Sequence, residues 1–283
     1  MEKKRIGFYP GCSLTGTAGE YNHSVKAIAK AFNVELAEVP DWNCCGATAA
    51  HNLNKALSLS LPARILANAE EAGMTEVLVP CAACSNRLLV AQHELQEDPK
   101  LKAEIEEIIG KKFENNLNII NVIQFIQTYV LPTLAEKVTK PFNKKSACYY
   151  GCLLVRPYKI LKFDRAEDPQ TMDEVMKAIG SEPVDFPFKT ECCGAGLSVS
   201  RTELVGKLSG KIVKEAADRG AEAIIVACPM CHANLDMRRG AINKAMGLQL
   251  ATPVLYITQA IALAVGISAN ELGLNKHIVP VKF

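Results

Sequence analysis

The sequence has no long run of one charge and no long apolar run. Its 32 Lys and Arg residues balance 30 Asp and Glu residues, which leaves a formal net charge of +2. Without a basic patch or tail, nucleic acid and anionic membranes are not indicated as partners. The most apolar stretch, residues 253–267, contains Thr and Gln and falls short of the roughly 18 apolar residues of a spanning helix.

Two further absences concern targeting and disorder. The N-terminal residues carry positive charge but no apolar segment and no small-residue cleavage site, so they do not resemble a signal peptide. Low-complexity segments and Ser/Gly linkers are missing as well. We therefore expect a folded, cytoplasmic protein.

Cysteine, in contrast, is abundant. The eleven cysteines are Cys12, Cys44, Cys45, Cys81, Cys84, Cys148, Cys152, Cys192, Cys193, Cys228 and Cys231. Structural disulfides are uncommon in a reducing compartment, and an odd number of cysteines cannot pair completely. The count therefore favours metal binding.

The cysteines follow an internal repeat. Each half has one Cys, then Cys-Cys-Gly after 31 or 39 residues, then Cys-x-x-Cys after a further 35 or 34. The flanking residues match too: "YPGC" (9–12) with "YYGC" (149–152), and "LVPCAACSN" (78–86) with "IVACPMCHAN" (225–234). Two diverged copies of one domain explain this pattern. We place their boundary in "KPFNKKS" (140–146), which gives domains of residues 1–143 and 144–283.

Strand-like and helix-like segments alternate in both halves. Short β-rich runs such as "RIGFYPGC" and "AEAIIVAC" each deliver a cysteine at their C-terminal end. Helical periodicity predicts helices near 18–32, 47–72, 82–97, 170–179, 199–219 and 232–245. The predicted fold class is α/β, with two pseudo-symmetric Rossmann-like units and the cysteines at the carboxyl ends of parallel strands.

Five matched cysteines per half are one more than a tetrahedral zinc site needs. Adjacent cysteines in extended backbone also point to opposite sides, so one small ion would receive both only if Gly46 and Gly194 made a tight turn. An iron–sulfur cluster offers several irons over a wider surface, which gives the Cys-Cys pair a physical use. The ferredoxin run C-x-x-C-x-x-C-x-x-x-C-P is absent.

The complete double motif resembles the CCG domain signature, and the chain is similar to the B subunit of heterodisulfide reductase over residues 6–240 at least. The resemblance implies an oxidoreductase acting on sulfur groups. It also implies two noncubane [4Fe-4S] clusters with a disulfide substrate cleaved between them. Each cluster would deliver one electron, and an iron of each cluster would capture one of the two sulfurs. The first cluster would be held by Cys12, Cys44, Cys45, Cys81 and Cys84, and the second by Cys152, Cys192, Cys193, Cys228 and Cys231.

The same resemblance implies partners. Electrons would arrive from a ferredoxin-type protein like the family's C subunit, often with a flavoprotein like its A subunit behind it. Similar proteins occur in methanogens and in sulfur-metabolising and flavin-bifurcating bacterial complexes, so the substrate stays open between the heterodisulfide of coenzymes M and B and other disulfide or sulfane-sulfur compounds.

Two other functions are compatible with the motif. One is a CCG protein for electron transfer or assembly in a complex that oxidises 2-hydroxy acids or succinate; several such proteins carry a fused ferredoxin segment, which is missing here. The other is a non-enzymatic zinc scaffold.

A few residues outside the matched cysteines carry weaker signals. The stretch between Cys152 and Cys192 is longer than its counterpart in the first half and carries four basic residues, Arg156, Lys159, Lys162 and Arg165. These side chains suit either the binding of an anionic substrate group or a solvated face that docks a partner. His232 is a weak candidate for protonating a leaving thiolate, and its simpler interpretation is a histidine at a helix start. Cys148 has no counterpart and is expected to be a buried strand thiol, and Trp42 is expected to cover the first cluster.

Overall fold

The computed structural model describes residues 4–281, which form two four-stranded parallel sheets, one in each half. The strand orders are β2-β1-β3-β4 and β6-β5-β7-β8, so the second sheet repeats the first. The strands are β1 (Lys4–Phe8), β2 (Val34–Glu38), β3 (Glu76–Val79), β4 (Asn118–Asn121), β5 (Lys145–Tyr149), β6 (Glu182–Pro183), β7 (Ala223–Val226) and β8 (Val254–Tyr256). The predicted α/β class with parallel strands is confirmed.

Within this part of the chain, fourteen α-helices cover the sheets. In the first half they are α1 (Gly11–Thr15), α2 (Gly19–Ala31), α3 (Ala50–Leu53), α4 (Lys55–Glu71), α5 (Ala82–Glu97), α6 (Pro99–Ile109), α7 (Val122–Phe125) and α8 (Leu131–Lys137). In the second half they are α9 (Tyr158–Leu161), α10 (Thr171–Ala178), α11 (Thr202–Asp218), α12 (Pro229–His232), α13 (Arg239–Met246) and α14 (Ile257–Ala264). Single π-helical turns, Ile126–Val130 and Ala233–Met237, interrupt the helices that follow β4 and β7.

The sequence explains where these elements begin and end. The strands are rich in Ile, Val and Leu, as expected for strands covered by helices on both faces. Helix α6 starts where the Asp98 carboxylate accepts two backbone N–H groups, and it ends at Gly110 with φ +67°. Strand β1 ends at Phe8, earlier than the predicted run to Cys12, because Gly11 turns the chain into α1 with φ +63°.

The two halves share one continuous hydrophobic core. Helix α14 of the second half packs on α2 of the first, and α8 of the first half packs on α10 of the second. A hydrogen bond of 2.7 Å joins the Ser24 and Thr258 hydroxyls across the first of these contacts. Residues 138–144 connect α8 to β5, and the domain boundary after residue 143 stays a prediction.

No helix within residues 4–281 is both long enough and apolar enough to cross a membrane.

Candidate metal centre

The cysteines gather at the carboxyl ends of the parallel strands. Cys12 follows β1 and Cys152 follows β5, while Cys81 and Cys228 directly precede α5 and α12 after β3 and β7. The two Cys-Cys pairs lie in the loops that leave the outer strands β2 and β6. Ligand sites in open α/β sheets lie at this edge, so the topology collects five thiols from separate parts of each half.

In the first half the five thiols lie close together. The sulfur of Cys12 lies 4.0 Å from that of Cys44, and the sulfur of Cys45 lies 3.2 Å from that of Cys84. Cys44 and Cys45 are adjacent in the chain, and the Cys81 and Cys84 thiols lie close enough to shift each other's pKa. These residues, Cys12, Cys44, Cys45, Cys81 and Cys84, are called the first set below.

The second half repeats the arrangement with Cys152, Cys192, Cys193, Cys228 and Cys231, called the second set below. The sulfurs of Cys193 and Cys231 are 3.7 Å apart, and the Cys152 thiol lies close enough to Cys192 to shift its pKa. The Tyr21 hydroxyl donates to the carbonyls of Pro80 and Ala227, both at 3.1 Å, and these residues directly precede Cys81 of the first set and Cys228 of the second. The two sets therefore approach each other at Cys81 and Cys228, and the eleven cysteines, all within residues 4–281, are free thiols.

Within each Cys-Cys pair the two side chains face different surroundings. Cys44 and Cys192 are exposed, whereas Cys45 and Cys193 are each only 2% exposed. The glycine after each pair supplies the expected turn, with φ +75° at Gly46 and φ +81° at Gly194. The backbone N–H of that glycine also points at the exposed thiol, at N···Sγ distances of 3.4 Å and 3.3 Å.

The glycine before the first cysteine of each set allows a close approach. A Cβ atom built on Gly11 would lie 3.3 Å from the Cys84 sulfur, and one built on Gly151 would lie 3.0 Å from the Cys231 sulfur. Both glycines have positive φ, +63° and +71°. An alanine would therefore strain the backbone and push against a thiol of the set.

Two tyrosines that the sequence analysis did not assign hold the Cys-Cys loops. The Tyr9 hydroxyl donates to the carbonyl of Asn43 at 2.8 Å, and the Tyr149 hydroxyl donates to the carbonyl of Glu191 at 2.6 Å. Asn43 and Glu191 each directly precede a Cys-Cys pair. The repeated tyrosine of "YPGC" and "YYGC" was the available signal, because it stands three residues before the first cysteine in both copies.

Buried asparagines follow both Cys-x-x-Cys motifs. The Asn234 amide donates to the Cys193 carbonyl at 3.0 Å and lies 3.6 Å from the Cys193 sulfur. The equivalent Asn86 instead crosses to the other half and donates to the Arg156 carbonyl at 2.7 Å. The second half has one more residue between the motif and this asparagine, and the π-helical turn Ala233–Met237 accommodates it.

Hydrogen bonds among the thiols favour ionisation of particular cysteines. The Cys44 thiol lowers the pKa of Cys45 to about 4, and the Cys152 thiol lowers the pKa of Cys192 to about 6. Cys231 likewise lowers the pKa of Cys228. The same interactions raise the pKa of the partners Cys44 and Cys152, so each of these pairs favours one thiolate, the form that ligates metal.

The other residues singled out from the sequence take structural positions. Arg156 donates to the Thr190 carbonyl at 3.2 Å and to Glu167 at 2.6 Å, so its guanidinium ties the insertion to the second Cys-Cys loop. Cys148 is fully buried within β5, and burial raises its pKa. Trp42 packs edge-on against Tyr9 with ring centroids 5.7 Å apart.

His232 is buried behind the second set. Its ring stacks on Tyr256 at 4.4 Å, and its Nε2 lies 3.3 Å from Nδ1 of His277. Burial lowers the pKa of His232 to about 3. A histidine kept neutral in this way is a poor proton donor near neutral pH, so its role in protonating a thiolate stays a prediction without geometric support.

The donors suit a soft metal. Every candidate ligand is a thiol, and thiolates select zinc, copper(I) or iron–sulfur clusters over hard cations. Five thiols per set exceed the four of a closed tetrahedral site. Each set also has a backbone N–H aimed at a cysteine sulfur, and such hydrogen bonds are a means by which proteins tune iron–sulfur clusters.

Comparisons with known proteins agree with this arrangement. A family model for the cysteine-rich CCG domain matches residues 6–88 and 146–236. The chain is 32% identical over 281 residues to the 8-methylmenaquinol:fumarate reductase membrane anchor subunit of Wolinella succinogenes, covering 98% of each protein. It is 30% identical over 283 residues to the B subunit of the ferredoxin:CoB-CoM heterodisulfide reductase of Methanosarcina mazei, covering 97% of this chain and 94% of that protein.

A solved structure shares the fold. The crystal structure of a hypothetical protein from Helicobacter pylori superimposes on the whole of this chain with a TM-score of 0.81 and 16% sequence identity. This chain spans only 53% of that longer protein. Together with the repeated cysteine sets and the full-length relatives, these findings lead to one conclusion: the chain belongs to the cysteine-rich CCG domain family, carries two such domains, and is a homologue of the B subunit of heterodisulfide reductase.

Proposed function

We propose that each cysteine set holds a noncubane [4Fe-4S] cluster and that the chain is the iron–sulfur catalytic subunit of a heterodisulfide-reductase-like complex. Its reaction would be the reduction or formation of a disulfide or related sulfur-bonded substrate. One observation carries the proposal: two complete five-thiol sets, related by the internal repeat, approach each other where the Tyr21 hydroxyl bonds to the residues directly before Cys81 and Cys228. When bound, the clusters would supply two electrons and electrophilic irons for the two sulfurs of a disulfide.

The chain's own residues would prepare this site. Tyr9 and Tyr149 fix the loops that carry the Cys-Cys pairs, while the exposed cysteines Cys12, Cys44 and Cys192 leave each set open on its outer side. A largely apolar cavity of about 30 Å³ adjoins the second set and is lined by both halves. Its walls include Ala82, Ala83, Tyr150, Cys152, Leu153 and Met230. The lining contributes no Asp, Glu, Lys or Arg side chain.

The cysteine count supports an external electron donor. Ten of the eleven cysteines lie in the two sets, and the remaining one, Cys148, is fully buried in β5. A further cluster ligated by cysteines would therefore have to lie outside these 283 residues. A ferredoxin-type partner, with a flavoprotein behind it, would meet this need, and the relative from Methanosarcina mazei is named as one part of a ferredoxin:CoB-CoM heterodisulfide reductase.

The relatives also favour a second candidate function. A fumarate reductase subunit from Wolinella succinogenes is 32% identical to the chain, and lactate utilization protein A from Bacillus velezensis is 26% identical over 214 residues. The chain would then pass electrons within a quinol-linked or hydroxy-acid-linked complex without itself cleaving a sulfur–sulfur bond.

Metal analysis and spectroscopy test the proposal. Protein purified without oxygen should contain about eight irons and about eight acid-labile sulfides per chain, the content of two four-iron clusters. Titration with candidate thiols should then change the EPR signal, and a chemically reduced sample should cleave the matching disulfide. Full iron content with no response to thiols or disulfides would favour the electron-transfer function, while zinc with little iron would refute both.

A further inference from the structure

Tyr256 occupies an unusual position beside the two sets. It ends β8 and pairs with Val226 of β7, the strand that leads to Cys228. Its ring lies between Tyr21, at a centroid distance of 4.0 Å and an interplanar angle of 6°, and His232, at 4.4 Å and 19°. The residue is fully buried, yet within residues 4–281 its hydroxyl has no hydrogen-bond partner.

A buried hydroxyl without a partner is unfavourable, because it has lost its hydrogen bonds to water. The internal repeat shows that the fold does not require it. The equivalent residue is Asn121, whose side chain caps α7 by accepting from the backbone N–H groups of Ile123 and Gln124 at 2.8 Å and 3.0 Å. Tyr256 keeps only the other half of this motif, in which its own N–H donates to Gln259 at 3.0 Å. The second half has thus exchanged a helix cap for an unpartnered phenol.

The neighbours of Tyr256 place this phenol near the junction of the two sets. The stacked Tyr21 donates its hydroxyl to the carbonyls of Pro80 and Ala227, both at 3.1 Å, and these residues directly precede Cys81 and Cys228. Burial raises the pKa of Tyr256, and negative charge on Glu20, Tyr21, Cys228 and Cys81 raises it further. The cysteine sulfurs themselves do not accept a hydrogen bond from it in the structure.

We propose that Tyr256 donates a hydrogen bond to an inorganic sulfide of the cluster held by the second set, on its Cys228 side, and thereby raises the reduction potential of this second cluster. This inference deepens the proposed function and rests on it. A hydrogen bond to a cluster sulfur stabilises the more negatively charged, reduced state, which is one of the means by which proteins set these potentials. The orphaned hydroxyl supplies the donor, and the burial of the aromatic stack keeps water from competing for the same acceptor.

The test uses the full chain, purified without oxygen, as wild type, Tyr256→Phe and Tyr129→Phe. Tyr129 is the matched control, because its hydroxyl donates to Glu76 on the first sheet. All three proteins should contain the same iron and sulfide. In redox titrations followed by EPR, Tyr256→Phe should favour the oxidised cluster about tenfold, which corresponds to about 59 mV for a one-electron couple. The magnetic coupling between an exchangeable proton and the reduced cluster should also be absent from Tyr256→Phe and present in wild type and Tyr129→Phe.

Two further measurements identify the acceptor of the Tyr256 hydrogen bond and test whether the hydroxyl instead stabilises the protein itself. Reconstitution with selenide in place of sulfide should reduce the difference between wild type and Tyr256→Phe if the acceptor is inorganic; an unchanged difference would point to a cysteine sulfur and overturn the assignment. In the metal-free proteins, Tyr256→Phe should melt at or above the wild-type temperature, whereas Tyr129→Phe should melt below it because it loses a partner.

A metal-free Tyr256→Phe that is clearly less stable would show that the hydroxyl has a protein partner such as Glu20, and would overturn the inference. Unchanged potential and proton coupling in a fully loaded variant would overturn it as well, while leaving the proposed function intact. Wild-type protein that takes up no iron would instead refute the proposed function itself.

Discussion

Replacing Gly151 by alanine tests whether the backbone turn before Cys152 positions a ligand of the second set. Gly151 has φ +71°, and the added Cβ would lie 3.0 Å from the Cys231 sulfur. Gly220 is a matched control, since it has φ +76° with nothing within 4 Å of its Cβ position. Both substitutions impose the same left-handed strain, roughly 1–2 kcal/mol. Only Gly151→Ala also displaces a thiol.

The two variants should therefore lose similar stability but differ in metal content. A loss of 1 kcal/mol corresponds to about 2–4 °C in melting temperature for a chain near this size, so both metal-free variants should melt about 2–8 °C below wild type. Gly220→Ala should bind the wild-type amount of iron, while Gly151→Ala should lose up to about half, the share of one of two clusters. Gly11→Ala, whose Cβ would lie 3.3 Å from the Cys84 sulfur, should show a smaller loss.

Melting curves of the metal-free proteins and iron analysis of the loaded ones provide the comparison. Wild-type iron content in both the Gly151 and the Gly220 variants would refute the argument that Gly151 exists to admit Cys231. An equal loss of iron in both would show that backbone strain, rather than contact with the sulfur, controls loading.

Three further predictions follow from the site. Tyr149→Phe removes the hydroxyl that donates to the loop before Cys192, and it should lower the free energy of unfolding by about 1–2 kcal/mol. Denaturant titration measures this loss, with Tyr158→Phe as the control because the Tyr158 side chain is half exposed. Equal losses in the two variants would contradict the role of Tyr149 in holding the loop. Cys45→Ser should reduce the bound iron by up to half, whereas Cys148→Ala should bind the wild-type amount of iron. A loss of iron in Cys148→Ala would show that the ten cysteines of the two sets are not the complete set of ligands.

The last of the three concerns pH. Burial lowers the pKa of His277 in the folded protein, so the unfolded chain binds the proton more readily, and stability should fall as pH drops below the ordinary histidine value of about 6.5. His277→Gln should flatten this slope, by at most about 1.4 kcal/mol per pH unit in the metal-free protein. An identical slope in both proteins would rule out His277 as its source.

The repeat in the sequence predicted the parts of the structure that depend on local pattern. Helix α5 covers the predicted residues 82–97, and α10 and α11 differ from prediction by one to three residues at their ends. The ten matched cysteines gather at the carboxyl ends of the strands because parallel topology places them there. Whether they ligate iron stays a proposal.

Other features were not accessible from local pattern. Strand β6 contains only Glu182 and Pro183, too short to show any alternation of apolar residues. The π-helical turn after Cys231 was hinted at by the one-residue offset between "CSN" and "CHAN", but the sequence did not show how the extra residue would be absorbed. The stack of Tyr21 on Tyr256 depends on how the two halves dock, which no single-element periodicity reports.

The packing of helices between the two halves has an implication for the origin of the chain. Helix α14 packs on α2, and α8 packs on α10, so the last helix of each half covers a helix that follows the first strand of the other. This reciprocity is what an isologous homodimer displays, where the same contact occurs twice around a twofold axis. The internal repeat and this packing between the halves are what duplication and fusion of one such domain would produce. Once the copies were fused, one could keep the helix cap at Asn121 while the other acquired Tyr256, a difference that a symmetric dimer cannot maintain.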